Sequence, residues 1–541
     1  MKLHREQYLQ LKEMKLHFVS VFLLASFLLE LSTAGRIVIV PPIMFDSHLY
    51  VFMKIAVALN NQGHEVTLVL SEGRQIEQSS QFQIQQYHGI FNSKTADEFL
   101  QEKMKNIFAG KLTSLELFTI LEKYVANCDL MVGNAELIQQ LKALNFDLLL
   151  IDPNEMCGYI LAHMLGVKYA VVSTGLWFPA EVGAPAPVAY VPEFNSLQTD
   201  RMTFMGRTWN TVVYIISRIA THFVILPKFE AIIRKHAEIP QMSMMEIIHE
   251  TSLFFLCNDF ALEFSRPLLP NVVFVGGILT APAKPLPEDL LSWVEGGKAG
   301  LVVVSFGIGI RHLPEDLAEK MAAAFSRLPQ RVIWRYFGQK PRNLGNNTKT
   351  MEWLPQNDLL GHPSTKVFVS HCGLNGIFES IYHGVPVVGI PFYGDQYDIM
   401  TRIQANGMGI LLDWSRMTEE DLYQALSTVI TDPRYKNRAA YISTLHHDQP
   451  QHALNRTVYW IEYLLRYDGA RHLRPASLDI PFYQYYLLDV LAFFGLLTAL
   501  IVYLLYKIVK IRKPPQRQYQ NGYMNGYCYN GYLATEVKKI K

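Results

Sequence analysis

The stretch that decides the fold runs from residue 353 to residue 398. It reads Trp353-Leu-Pro-Gln356-Asn-Asp-Leu-Leu-Gly-His-Pro, then Val367-Phe-Val-Ser370-His371-Cys-Gly373-Leu-Asn375-Gly376, then Glu379, and finally Gly389-Ile-Pro-Phe-Tyr-Gly-Asp395-Gln396. The run Val367–Val369 is short and wholly apolar, as a parallel strand buried on both faces is. It breaks at Ser370-His371-Cys372-Gly373, and Ile377, Phe378 and Ile381 follow at helical spacing up to a stop at His383-Gly384. Val385–Ile390 supplies the next strand. Strand, glycine turn, helix start and strand leave free backbone N–H groups and the positive end of a helix dipole in one place, which suits a phosphate. His371 and Asn375 flank the turn as further donors. Glu379, one helical turn past Asn375, can accept from a pair of ribose hydroxyls. Trp353 offers a flat face for a base, and Asp395-Gln396 offer hydrogen bonds to sugar hydroxyls.

This whole stretch, with its fixed internal spacing, resembles the donor-site signature of the UDP-glycosyltransferases, the group that includes the animal glucuronosyltransferases. The resemblance implies an α/β fold of two Rossmann-like doubly wound domains facing each other (GT-B type). It assigns Trp353 and Gln356 to the uracil and Glu379 to the ribose. His371, Asn375 and Gly376, around the Gly373 turn, go to the diphosphate, and Asp395 and Gln396 to the transferred sugar. The UDP-sugar is then a co-substrate, and no cofactor is expected.

The 541 residues exceed one core, so two domains with additions are expected. Net charge is +1 with no long basic block in the globular part, which gives nothing for nucleic acid to bind. Half of the residues are hydrophobic, a share that membrane segments explain. Residues 1–35 read as a signal peptide: Lys2, Arg5, Lys12 and Lys15 precede the apolar run Phe18–Leu29, and Ser32-Thr-Ala-Gly35 supplies small residues for cleavage. Met14-Lys-Leu-His17 repeats Met1-Lys-Leu-His4, so either methionine can open the reading frame with the signal kept. At the other end, Leu487–Tyr506 is long enough to span a bilayer and carries only Asp489. Lys507, Lys510, Arg512, Lys513 and Arg517 follow, which places the tail in the cytosol and the folded part in a lumen. The low-complexity tail 507–541 ends Lys538-Lys539-Ile540-Lys541, which resembles the dilysine retrieval signal of endoplasmic reticulum membrane proteins. A single-pass type I protein of that membrane is expected.

The mature chain opens on a strand, Ile37–Val40. Asp46-Ser47 read as the caps of a helix with Phe52, Ile55, Ala56 and Leu59 on its apolar face and Gly63 as its stop. His64–Leu70 completes a βαβ unit. His48 stands just past the carboxyl end of the first strand, where open α/β sheets bind ligands. A helix N-terminus keeps an imidazole neutral and able to take a proton. Alone, such a histidine reads as a surface or capping residue. The family carries its catalytic base in this loop, in a similar Ser-His dipeptide, and so implies that role for His48. Asp152-Pro153 ends another apolar strand, Phe146–Ile151. An aspartate before proline commonly caps a turn, but the family places an aspartate at this strand end to orient the base.

Ser173-Thr-Gly-Leu-Trp177-Phe178 and the proline-rich 179–192 follow the strand Tyr169–Val172 and are expected to shape the acceptor pocket. Residues 203–226 are largely apolar but interrupted by Arg207, Arg218 and His222, which argues against a span. A core helix is expected there, with a helix lying on the membrane as the alternative. Residues 36–278 then form the acceptor domain, 279–288 a proline-rich linker and 289–450 the donor domain, while 451–486 form a return helix and lumenal stem. In the second domain, Leu301–Ser305 turns at Phe306-Gly307-Ile308-Gly309, and the family brings Ser305 and Gly307 to the border of the donor. Arg335 ends the strand that follows. No Asp-x-Asp motif occurs and His446, His447 and His452 lack ligand spacing, so no metal is expected. Cys128, Cys157, Cys257 and Cys372 fall on the lumenal side, and spacing alone does not pair them. Cys372 takes a place where the family usually has a small residue. Asn346 and Asn455 stand in glycosylation sequons.

The runs Ile39-Val-Pro-Pro-Ile-Met-Phe-Asp-Ser-His48, Phe146-Asp-Leu-Leu-Leu-Ile-Asp152-Pro-Asn and Ser173-Thr-Gly-Leu-Trp-Phe-Pro-Ala-Glu-Val-Gly-Ala-Pro-Ala-Pro are most similar to the branch of the family that galactosylates lipids. That implies inverting transfer of galactose from UDP-galactose to a lipid acceptor, ceramide. In one respect the chain departs from that branch: a histidine is expected after Asp395 in a galactose user, and Gln396 is commoner among glucose and glucuronate users. A glucuronosyl- or glucosyltransferase acting on small lipophilic alcohols therefore stays open, as does a non-catalytic, membrane-tethered lipid binder on the same fold. Whether the chain forms a homo-oligomer is open too.

Overall fold

The computed structural model describes residues 34–512 except 73, 75, 77–79, 111–113, 176–182 and 238–241. The leader up to residue 33, Trp177 and Phe178, and the tail from residue 513 with Cys528 and its terminal lysines lie outside the described residues.

Short apolar runs alternating with amphipathic helices can pair only in parallel, each crossover helix covering a sheet face. The first seven strands are β1 (Arg36–Val40), β2 (Glu65–Ser71), β3 (Gln83–Tyr87), β4 (Leu148–Ile151), β5 (Lys168–Ser173), β6 (Phe254–Leu256) and β7 (Val272–Phe274). They form one parallel sheet in the order β3-β2-β1-β4-β5-β6-β7. The next six are β8 (Leu301–Ser305), β9 (Arg331–Arg335), β10 (Thr348–Met351), β11 (Thr365–Ser370), β12 (Val387–Gly389) and β13 (Gly409–Leu411). They form a second parallel sheet, β10-β9-β8-β11-β12-β13. In both, the winding direction reverses beside the first strand: β1 lies between β2 and β4, and β8 between β9 and β11. Such a reversal leaves a crevice at the carboxyl ends of the strands. Val40 is level with Ile151 in the first sheet, and Ser305 with Ser370 in the second. One crevice therefore receives the chain after β1 and β4, and the other the chain after β8 and β11.

The strands are buried on both faces, as their unbroken apolar runs require; Val38, Ile39, Leu149, Val303 and Val369 are fully covered. One hydrophobic core under the first sheet continues through Phe378, Ile399 and Met400 and takes in Ile461 and Leu464 of the late helix Ala453–Arg466. His64 Nε2 approaches Glu462 at 3.5 Å beside it.

Two sequence expectations change. Asp46 and Ser47 do not cap the first helix, which spans Asp46–Asn61 and starts from Phe45 in the left-handed region (φ 69°) with no side-chain cap. The Asp46 carboxylate pairs instead with Arg74 Nη2 at 2.8 Å. The helix Phe204–Ala220 is not a core helix: only Gly206 and Asn210 are buried along it. Its apolar positions do share one face, but that face points outward.

Cys128 and Cys157 form a disulfide with their Cα atoms 5.2 Å apart, while Cys257 and Cys372 are free and buried. Asn346 and Asn455 are exposed. The chain separates into two compact units at Leu478/Asp479. The second contains the helix Leu488–Arg512, long and apolar enough to cross a membrane.

Candidate active site

Val40 and Ile151 end side by side, which brings the next functional residue of each strand together. His48, in the first turn of its helix, places Nδ1 2.9 Å from Asp152 Oδ2. Asp152 is fully buried, and its oxygens are held from other sides. Oδ1 accepts from the Asn154 backbone N–H and from Asn154 Nδ2, both at 2.9 Å, and Oδ2 accepts from Thr174 Oγ1 at 3.2 Å. A carboxylate so tied keeps the Nδ1–H tautomer of His48 and leaves Nε2 with its lone pair free. The His48 side chain is 17% exposed, enough for a substrate hydroxyl to reach it.

Glu155 lies behind this pair. Its N–H donates to Asp152 O at 2.9 Å, and its Oε2 accepts from the N–H of Ile43, in the loop leading to His48, at 3.2 Å. It is buried, and Oε1 meets no hydrogen-bond partner. Burial, reinforced by the Asp152 charge, pushes its carboxyl up to about 8. Nothing in the sequence singled out Glu155 or Asn154. Thr174, by contrast, belongs to the Ser173-Thr-Gly run expected to shape the acceptor pocket, and it sits at the carboxyl end of β5 beside β4.

In the second crevice the His371 ring is pressed between two glycines. A Cβ on Gly307 would lie 2.7 Å from the ring, and one on Gly373 only 2.5 Å, so both must be glycine for the imidazole to fit. Gly307 also has φ +70°. Burial, and then the charge of Arg335, push the His371 pKa down to about 4, so the ring is neutral and offers one N–H. Arg335 lines the same cavity; its Nη1 donates to Gly307 O and its Nε to Glu352 O at 3.1 Å. Cys372 is buried with φ 69°, a conformation that favours glycine, and Gly389 makes room for it: a Cβ there would stand 2.6 Å from Sγ.

The helix Leu374–Tyr382 starts at Gly373 with no side-chain cap, so its first N–H groups remain for a ligand. Asn375 Nδ2 donates to Ser47 O at 3.2 Å, tying this turn to the start of the His48 helix. Glu379 is half-buried and accepts from Gln356 Nε2; partial withdrawal from water raises its carboxyl to about 7. Trp353 is 65% exposed and keeps its face open. Gln396 is buried, and its Oε1 accepts from the N–H groups of Phe392 (2.8 Å) and Tyr393 (3.2 Å). Its carbonyl end is thus committed to the loop that carries Asp395. The Asp395 carboxylate comes within 3.1 Å of where a Cβ on Gly175 would stand, so the two crevices approach each other there.

All the donor-side candidates, Ser305, Gly307, Trp353, Gln356, His371, Gly373, Asn375, Gly376, Glu379, Asp395 and Gln396, line a single cavity of about 1000 Å³, and His48 lines it too. Phe45, Phe99, Leu100, Met104, Ile107 and Phe194 supply apolar wall. Four of these belong to the helix Ser93–Phe108, which sequence reasoning did not connect to the site. The arrangement can bind an anionic nucleotide at one side, an apolar molecule at another, and move a proton at His48 Nε2 between them. Among the described residues, no group of three or more His, Cys, Asp or Glu side chains is placed to hold a metal ion.

Comparison with known proteins agrees with this geometry. A family model described as UDP-glucoronosyl and UDP-glucosyl transferase matches residues 35–515. The chain is 57% identical to human 2-hydroxyacylsphingosine 1-beta-galactosyltransferase over 97% of its own length and 99% of that protein's. The mouse protein of the same name is 57% identical over 96% and 99%. Rabbit UDP-glucuronosyltransferase 2C1 is 37% identical over 82% and 92%. Among solved structures, the kitacinnamycin glycotransferase superposes with a TM-score of 0.56 at 16% identity, covering 80% of this chain and 99% of that one. A UDP-glucosyltransferase from Polygonum tinctorium gives 0.55 at 14%, covering 80% and 99%. Two reversed parallel sheets, a glycine turn with an uncapped helix start at one reversal and a histidine–aspartate pair at the other thus coincide with the family match, and the chain belongs to the UDP-glycosyltransferases of GT-B fold.

Proposed function

We propose that this chain transfers galactose from UDP-galactose to the primary hydroxyl of ceramide and yields the β-galactoside. The observation that carries the reading is the 57% identity, over nearly the full length, to 2-hydroxyacylsphingosine 1-beta-galactosyltransferases. The site supports it with an intact His48–Asp152 pair opening on a cavity that is both nucleotide-lined and apolar.

The steps follow from the residues present. His48 Nε2 takes the hydroxyl proton as the acceptor oxygen attacks the anomeric carbon, and buried Asp152 stabilises the imidazolium that results. The bond from that carbon to the UDP oxygen breaks on the opposite face, so an α-linked donor gives a β-product. The charge arriving on the diphosphate is met by the free N–H groups at the start of Leu374–Tyr382, by Asn375 and by the neutral His371. Trp353, Gln356 and Glu379 hold the uridine, and Ser305 and Gly307 border it; Asp395 and the outer end of Gln396 face the sugar. The folded part lies in the lumen of the endoplasmic reticulum. The Cys128–Cys157 disulfide and the exposed sequon residues Asn346 and Asn455 fit an oxidising, glycosylating compartment, and Lys507, Lys510 and Arg512 after the apolar stretch fit a cytosolic tail.

The test is transfer by microsomes expressing the chain, given ceramide and, in parallel, UDP-galactose, UDP-glucose and UDP-glucuronate. Galactosylceramide formed from UDP-galactose is the expected product. Transfer only from another donor would overturn the galactose assignment and place the specificity with Gln396, and transfer from none would overturn the acceptor.

A further inference from the structure

The helix Gln396–Ala405 starts from Asp395, so both residues given to the sugar stand at its amino-terminal end. Ile399 N–H donates to Asp395 O at 2.8 Å, which makes Asp395 part of one rigid piece with the helix. Asp398 and Arg402, four residues apart, share a face of it and are buried. The partners of that face come from the part of the chain that builds the first sheet. Arg402 Nε donates to Glu263 Oε1 at 2.9 Å, Nη2 lies at the same distance from it, and Nη1 donates to Asp398 O at 3.1 Å. Glu263, buried between β6 and β7, is held from its other side as well: Oε2 accepts from Asn258 Nδ2 at 2.6 Å, and Oε1 from Phe264 N–H at 2.9 Å. Asp398 Oδ2 accepts from Asn195 N–H at 3.0 Å. Asn195, with φ 63°, directly follows Phe194 of the cavity wall.

Taking two charges out of water costs about what their attraction returns, so a buried ion pair adds little stability over apolar groups of the same volume. What it adds is a single allowed arrangement. The arrangement held here is that of the sugar-side helix against the acceptor side of the cavity. The Asn375–Ser47 bond joins the two crevices on the diphosphate side, and Arg402, Glu263 and Asp398 join them on the sugar side. We propose that this cluster is a positioning device for transfer. It holds Asp395 and Gln396, and through them the anomeric carbon, in line with the acceptor hydroxyl at His48. The role rests on the reading of Asp395 and Gln396 as the sugar site given above.

The helix works as a lever. From Arg402 back to Asp395 is about 10 Å along its axis. A tilt of about 6° at Arg402 would carry the Asp395 end about 1 Å, and a misplacement of that size costs about a hundredfold where two reacting atoms must meet in line. The groups given to the uridine ride on other elements: Gln356 starts the helix Gln356–Leu360, and Glu379 belongs to Leu374–Tyr382. Loosening the cluster therefore separates two quantities, lowering kcat while leaving the affinity for UDP in place.

The experiment uses the full chain in detergent, with UDP-binding sites counted by calorimetry and kcat expressed per such site. Arg402→Met/Glu263→Gln removes both charges and leaves neither one buried alone. Its kcat with UDP-galactose and ceramide is expected to fall by about tenfold to a hundredfold, with the Kd for UDP within about twofold of the wild type. Arg402→Lys keeps the charge but not the fork of donors, and is expected to lose about fivefold or more at the same UDP affinity; it decides the question alone where the double variant binds no UDP. Gln404→Ala, exposed on the same helix, serves as the control that keeps wild-type kcat. An unchanged kcat per UDP-binding site overturns the positioning role. A fall of UDP affinity in step with transfer in both variants overturns it too, because the cluster would then only support the fold. A wild type that transfers from none of UDP-galactose, UDP-glucose and UDP-glucuronate overturns the functional reading and the positioning role together, whereas an active wild type with equally active variants overturns the positioning role alone.

Discussion

Replacing Glu155 by glutamine tests the electrostatics behind the His48–Asp152 pair. The carboxyl is buried, accepts from Ile43 N–H and is pushed from 4.5 to about 8. Below pH 4.5 it is protonated in the folded and unfolded chain alike and adds no pH dependence. Between 4.5 and about 8 the unfolded chain ionises and the folded chain does not, so stability falls as pH rises, by about 1.4 kcal/mol per unit. At pH 7.5 the accumulated loss is roughly 4 kcal/mol as an upper bound, and local relaxation makes about 2 kcal/mol a fair lower figure. Glutamine keeps an acceptor for Ile43 N–H and cannot ionise in either state. Glu155→Gln is therefore expected to melt several degrees above the wild type at pH 7.5 and together with it at pH 4.5, by tryptophan fluorescence of the full chain in detergent. Transfer activity should survive in Glu155→Gln and fall in Glu155→Leu, which releases the loop leading to His48. Identical melting of wild type and Glu155→Gln at pH 7.5 would refute a neutral buried carboxyl.

In Asp152→Asn the amide oxygen stays with the two Asn154 donors and the NH2 faces His48 Nδ1, which imposes the wrong tautomer, so transfer should fall by about three to four orders of magnitude while UDP affinity by calorimetry holds. Gly307→Ala and Gly373→Ala each drive a Cβ into the His371 ring, so the KM for the UDP-sugar should rise by about tenfold or more with little change for the acceptor. Gly309→Ala, whose Cβ would meet its nearest neighbour at 3.7 Å, serves as the harmless control. Opening the Cys128–Cys157 disulfide by Cys128→Ser should cost about 2–4 kcal/mol, read as a lower melting temperature, because the bridged loop contains β4 and Asp152.

What could be read in advance was what depends on neighbours in the chain. Val367–Val369, the glycine turn and the helix stop at His383-Gly384 follow from local pattern, and the structure carries them as β11, an uncapped helix start at Gly373 and a helix that ends at Tyr382. His48 and Asp152 were separately legible as residues following strands, since parallel pairing brings strand ends level; their 2.9 Å contact is a property of the reversed strand order. Contacts between distant segments had no local sign. The left-handed Phe45 displaced an expected Asp cap because Arg74, far along the chain, claimed the carboxylate. The inward turn of Gln396 needed the Phe392 and Tyr393 N–H groups in place. Helical periodicity showed that residues 204–224 have an apolar face without telling which way it points, because that depends on the polar anchor formed by Asn210 with the segment Val188–Glu193.

The late helix Ala453–Arg466 has a consequence for how the protein is made. Ile461 and Leu464 share one core with Ile37, Ile39 and Phe52, which leave the ribosome some four hundred residues earlier. The amino-terminal half therefore cannot complete its own interior while it is being synthesised. It must wait, with that apolar surface open to chaperones, until the helix Ala453–Arg466 has been made. A ribosome that stops between residue 398 and residue 453 would leave that shared core unfinished, so its completion waits on the helix Ala453–Arg466.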